Sequence, residues 1–224
     1  MTFVAQLGTG DCEAIRQEWL KQPTNAWSSV AFAVVGLAVL TSARSVDGAE
    51  RTDRVVFGLL LTATGIGSFL FHGLQPGPAN FLHDITLLAA LLFLVVVSAA
   101  GAFAANRHTV AAVFLGGVAV FALALLVSPG ITNVLTGIVI ILLIASDVAM
   151  WRRTEPNRSW YAGAGAVLVA ALALNFAGRT DAPWCDSTTL LQPHAGWHVL
   201  AAVFLGLYFM ATAPAREKSE TGVS

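Results

Sequence analysis

Polar and charged residues are confined to short stretches separating seven long apolar runs, at about 27–43, 55–75, 81–103, 109–128, 131–150, 160–178 and 194–213. Each run approaches the roughly 20 residues that an α-helix needs to cross about 30 Å of hydrocarbon. None shows the two-residue alternation of a barrel strand. The pattern predicts an all-α fold, an integral membrane bundle of seven transmembrane helices over 27–213, with a tail at 1–26 before it and a polar cytoplasmic tail at 214–224 after it. The breaks carry suitable residues: Ser45 to Asp53 is polar, Gln75-Pro76-Gly77-Pro78 and Ser128-Pro129-Gly130 are tight turns, and Arg152 to Ser159 is charged and contains a proline. The shortness of the second and fourth breaks predicts antiparallel hairpins of helices 2/3 and 4/5.

Composition agrees with this reading. Charged residues are 11% of the chain and apolar residues 56%, with a mean hydropathy of +0.73. A soluble domain carries roughly 25% charged residues, and a disordered chain buries far less apolar surface, so both classes are excluded. Twelve Lys and Arg against thirteen Asp and Glu leave a net charge of −1. No basic stripe exists for phosphate neutralisation, which argues against a nucleic-acid partner. No protein partner is inferable.

The basic residues set the expected orientation. Arg44, Arg51, Arg54, Arg107, Arg152, Arg153, Arg158, Arg216 and Lys218 fall on one side of a seven-span chain, against Arg16, Lys21 and Arg179 on the other. The basic side faces the cytoplasm, so the N-terminus is expected outside and the C-terminus inside. Residues 1–10 lack a charged start and an apolar core, so the first helix is expected to direct insertion. Cys12 and Cys185 then share the non-cytoplasmic compartment, where thiols oxidise, and a Cys12–Cys185 disulfide is predicted. In a bacterium this membrane is the cytoplasmic membrane; in a eukaryote it is an endomembrane with the site facing the lumen.

Ionisable groups inside spans are costly and mark functional sites by default. Ser68 and His72 lie four apart at the end of helix 2, His83-Asp84 opens helix 3, and His194 and His198 lie four apart at the start of helix 7. All sit at the same membrane depth. A His pair one helical turn apart, with a third His from another helix, presents three imidazole ligands to Zn²⁺ and leaves a fourth position open. Zinc so held lowers the pKa of water to about 7. Asp84 is read as general base and then acid, and Ser68 as a donor to the developing oxyanion. Adjacent helical residues point about 100° apart, so Asp84 is assigned to the site and His83 to a supporting or interface position. His108 reads as a loop residue, and Asp147 is expected to pair with Arg152 or Arg153.

Taken together, Gln22-x-x-Asn25 with Ser28 following, Ser68-x3-His72, Asp84 and His194-x3-His198 resemble the pattern of the alkaline ceramidases. These are seven-helix zinc amidases of the superfamily that also holds the progestin and adipoQ receptors and the Per1-type proteins. The Asp11-Cys12-Glu13 stretch and the N-out orientation favour the ceramidase branch. The resemblance spans nearly the whole chain. It implies hydrolysis of the N-acyl bond of ceramide to a sphingoid base and a fatty acid, with a membrane lipid as the substrate partner. It also implies a Ca²⁺ site formed by Asp11, Glu13 and residue 22. Gln22 stands where the pattern has glutamate, so Asp11, Glu13 and a Gln22 carbonyl supply only part of an oxygen shell. Gln22 and Asn25 are alternatively hydrogen-bonding groups of the helix 1 terminus or supports for the zinc ligands, as Ser28 and His83 are expected to be. Two other functions stay open: hydrolysis of another lipid amide or ester, and a receptor-like sensor with a structural zinc. A transporter is disfavoured, because no span carries a charge near its middle and no internal repeat is evident.

Overall fold

A computed structural model describes residues 6–153 and 157–221, with residues 213–221 described as backbone alone. Seven helices are long and apolar enough to cross a membrane: α1 Pro23–Ser45, α2 Gly48–Leu74, α3 Ala79–Phe103, α4 Arg107–Val127, α5 Pro129–Trp151, α6 Arg158–Ala177 and the span Pro193–Thr212. The last belongs to α7, Pro193–Thr221, whose helix continues into the polar stretch after the span. The chain is a multi-pass membrane protein. Among the described residues the only strand-like pairing is a single bridge between Asp11 and Arg179.

The first break is much shorter than the polar pattern predicts. α2 begins at Gly48 and takes in Glu50, Arg51, Asp53 and Arg54, because most of these charges find partners. Arg54 donates to Glu50 one turn away at 2.5 Å, and Asp53 accepts from Arg107 of α4 at 2.9 Å. Paired in this way, charges are tolerated in a helix that hydropathy alone would start later. Asn106 and Asn157 cap α4 and α6, their side chains accepting from the N–H groups of Thr109 and Trp160.

α3 is the hub of the bundle. It is 67% buried, against 11% for α4 and α6, and it packs on α2, α4, α5 and α7. α7 is the second hub, packing on α1, α3 and α6. At the centre the Phe57 ring stacks on Phe209 at 4.4 Å and on Phe93 at 6.2 Å. In the α4–α5 hairpin each helix lies along α3, and the two meet chiefly at the turn that joins them. Their outer faces expose Leu115, Val127 and Ile141, which lipid covers as well as a neighbouring helix does, so no hydrophobic force zips them together.

Asp147 also corrects the sequence reading. Its carboxylate accepts from the hydroxyls of Tyr161 on α6 and Tyr208 on α7, not from Arg152 or Arg153. Arg153 instead donates to the Ala102 carbonyl at 3.0 Å and lies over the Phe103 ring. The carboxylate faces into the bundle, where the hydroxyls of α6 and α7 are within reach.

Candidate metal centre

The site is built where α2 ends and α7 begins. The last turn of α2, Leu70–Leu74, is a π turn closed by the Gln75 N–H on the Leu70 carbonyl at 2.8 Å. Gln75 is left-handed at φ 50° and Pro76 follows, so the helix stops there. π turns are frequent at functional sites, and this one carries His72, only 1% exposed. α7 opens with Pro193, which suits a first turn because its missing N–H has no partner to lose. His194 and His198 follow one turn apart. The end of α6 lies close against them: a Cβ on Gly178 would stand 2.5 Å from the His194 nitrogen and 2.8 Å from its Cα.

The three rings converge. Centroids lie 5.3 Å apart for His72 and His194, 4.9 Å for His72 and His198, and 4.6 Å for His194 and His198. One ligand atom from each lies within 4.8 Å of the others, all three side chains are buried, and together they could hold a metal ion.

Their outer nitrogens are held from behind. His72 Nδ1 lies 2.8 Å from the Gln22 side-chain oxygen. His198 Nδ1 faces the Asn25 carbonyl at 3.1 Å and the Ser28 hydroxyl at 2.9 Å, and that hydroxyl donates to the same carbonyl. A carbonyl only accepts, so His198 Nδ1 carries the proton and Nε2 is left with its lone pair. His194 Nδ1 lies 3.4 Å from an Asp11 oxygen, and the other Asp11 oxygen is 3.9 Å from His72 Nδ1. Burial pushes the Asp11 carboxyl up to about 6, against the pull of Arg179 and His83. Imidazoles with free inner nitrogens, backed by carbonyl and carboxylate oxygens, are the donor set that takes zinc. Both amide atoms of Asn25 and Nδ1 of His194 are buried without a hydrogen-bond partner, the Asp11 oxygen at 3.4 Å from that nitrogen standing as a charge contact. The donor chemistry of three converging imidazoles fits a zinc ion.

The remaining predicted residues take distinct places. Asp84 is buried and accepts from Thr132 at 2.6 Å, His83 at 2.8 Å and Asn80 at 3.4 Å. His83, expected at a supporting or interface position, bonds to Asp84 through Nδ1, stacks on Phe71 and sets its ring 6.2 Å from that of His72. Ser68 pairs with Ser29 at 2.8 Å, and because Ser29 donates to the Asn25 carbonyl, Ser68 is the donor in the pair. Both oxygens of Glu13 accept from the N–H groups of Thr24 and Asn25 at the start of α1, while the Gln22 amide bridges three groups. The carboxylate and amide expected to share a calcium ion are thus bonded to protein groups. Ser29 and Thr132 escaped the sequence reading; Ser29 was signalled only by its neighbour Ser28, and Thr132 by nothing but its membrane depth.

The N-terminal segment that brings in Asp11 is stitched to the α6–α7 loop. Cys12 N–H donates to the Gly178 carbonyl at 2.8 Å and Thr180 N–H to Gly10 at 3.1 Å, and Cys12 is disulfide-bonded to Cys185 across 173 residues. Replacing either cysteine by serine is expected to lower unfolding stability by roughly 2–4 kcal/mol. It should also weaken the hold of the three histidines on a metal ion about tenfold, because the groups behind them loosen. Thermal unfolding in detergent and a chelator competition, each with and without reductant, check both effects. An unchanged melting temperature would show that the hydrogen bonds alone hold the segment.

No curated protein matches the chain in a sequence comparison. The family model described as Ceramidase does match, over residues 18–221, a stretch that includes all seven helices and the three histidines. The order His72, His194, His198 on the ends of α2 and α7, and a match over most of its length, make this chain a member of the ceramidase family.

Proposed function

We propose that the protein is an intramembrane zinc-dependent amidase that hydrolyses the N-acyl bond of ceramide to a sphingoid base and a free fatty acid. The observation that carries this reading is the buried cluster of His72, His194 and His198 in a chain of the ceramidase family. Zinc held by these imidazoles would supply Lewis-acid activation of water and of the amide carbonyl. Asp84 takes a proton from the attacking water and returns it to the leaving amine. Ser68 supports the oxyanion once its hydroxyl rotates from Ser29. Asp11 lies on the outer nitrogens of the histidines and serves to orient them. His83 holds one oxygen of Asp84 and Thr132 the other, which fixes the carboxylate.

The disulfide supports an N-out orientation, because Cys12 and Cys185 lie in the same layer as the histidines and such bonds persist in oxidising compartments. An amide in the outer leaflet would reach this layer by moving sideways within the bilayer. Ceramide hydrolysis by detergent-purified protein, with zinc measured on the same sample, tests the proposal. About one zinc per chain and release of sphingoid base are expected. Zinc without cleavage of ceramide or of any other lipid amide or ester would leave a structural metal and a sensor. Absence of zinc from the folded protein would overturn the mechanism.

A further inference from the structure

We propose that Gln22 is a positioning residue that locks His72 as its Nδ1–H tautomer, so that Nε2 faces the cluster before any metal arrives. The inference rests on the metal reading of the histidines and concerns how this chain prepares them. Gln22 has no exposed surface. Its main-chain N–H donates to the His72 carbonyl at 2.8 Å, and its side-chain oxygen lies 2.8 Å from His72 Nδ1. The residue therefore grips His72 at both backbone and ring.

The orientation of the amide decides the tautomer. Gln22 Nε2 donates to the Gly8 carbonyl at 3.0 Å and to the Glu13 carbonyl at 2.9 Å. Carbonyls cannot donate, so a flipped amide would set its oxygen against two acceptors and its NH₂ against the ring. The oxygen must face His72, and since it only accepts, His72 Nδ1 must bear the hydrogen. A neutral imidazole then has its lone pair on Nε2. His198 reaches the same state through the Asn25 carbonyl. For His72 the task falls to one side chain, whose two donor contacts come from the segment tied down at Cys12.

Gly8 completes the device. It sits at φ +74°, and a Cβ there would run into the Gln22 amide. A side chain at position 8 is excluded both by the backbone conformation and by the room the amide needs. Gly8→Ala therefore disturbs Gln22 without altering any side-chain hydrogen-bonding group.

The test is ¹⁵N NMR of the histidine side chains in zinc-free protein, which separates Nδ1–H from Nε2–H rings, paired with zinc affinity from chelator competition. Wild type should show His72 as Nδ1–H. Gln22→Met, close in volume but without the amide, should lose that preference and weaken zinc about 10- to 100-fold. Gly8→Ala should shift both readouts in the same direction, and it carries the test should Gln22→Met fail to fold. A purely structural role predicts lower thermal stability with the His72 tautomer unchanged, and that result in either variant overturns the proposal. A wild type that shows the tautomer but takes up no zinc would overturn the metal reading and leave this one standing.

Discussion

His198→Ala is expected to retain less than about a tenth of the zinc of the wild type and to release no sphingoid base above background. The ring is buried on α7 and stands 4.9 Å from His72 and 4.6 Å from His194, so its loss leaves two imidazoles where three converge. Two neutral nitrogens hold zinc far more weakly than three. Asp11 is directed at Nδ1 of His194, behind the cluster. Metal analysis after gel filtration in the presence of a weak chelator measures the first effect, and product analysis of the same fractions measures the second. His72→Ala and His194→Ala should behave alike, whereas His108→Ala, on the first turn of α4, should match wild type. Zinc-free wild type provides the reference for folding: a His198→Ala protein that melts close to it has lost its metal rather than its fold. Full zinc content in the variant would place the metal outside the three histidines.

The helix count was legible because a bilayer leaves one solution for a chain with seven apolar runs, and the ends of those runs were legible wherever Gly and Pro mark them. The start of α2 was not, because its charges are paired with residues on the same helix and on α4, and hydropathy counts a paired charge like a free one. The histidines were legible for a related reason. Few ionisable groups stand in the spans, and the helical period puts His194 and His198 on one face. Of their outer partners, Gln22, Asn25 and Ser28 were open to reading as supports, but Asp11 was read only toward calcium. Asp11 and Gln22 reach the cluster from a tail of no regular structure, which is placed by a disulfide and by bonds to a loop about 170 residues away in sequence. Asp147 shows the same limit. Its nearest basic residues along the chain are close in number, but its true partners, Tyr161 and Tyr208, are set by how α5, α6 and α7 pack.

Asp84→Asn is expected to keep zinc within about a factor of two while turnover falls about 10²- to 10⁴-fold, the range that positioned acid–base catalysis contributes. The carboxylate now accepts from three donors, on Thr132, His83 and Asn80. An asparagine there must turn its NH₂ toward at least one of them. The variant should therefore also lose about 1–3 kcal/mol of stability from the mismatched bond, and turnover must be measured where both proteins are fully folded. Asp11→Asn is the informative comparison, because it removes the buried carboxylate that faces the histidines. Asp11 lies against the outer nitrogens of His194 and His72, a position suited to holding rings and unsuited to reaching a water on the inner side. Its loss should weaken zinc about 10- to 100-fold and leave the zinc-saturated rate within about threefold of wild type. The opposite pairing, with zinc-loaded Asp11→Asn inactive and Asp84→Asn active, would move the proton-transfer role from α3 to the N-terminal segment, and the disulfide that positions that segment would then govern turnover as well as metal affinity.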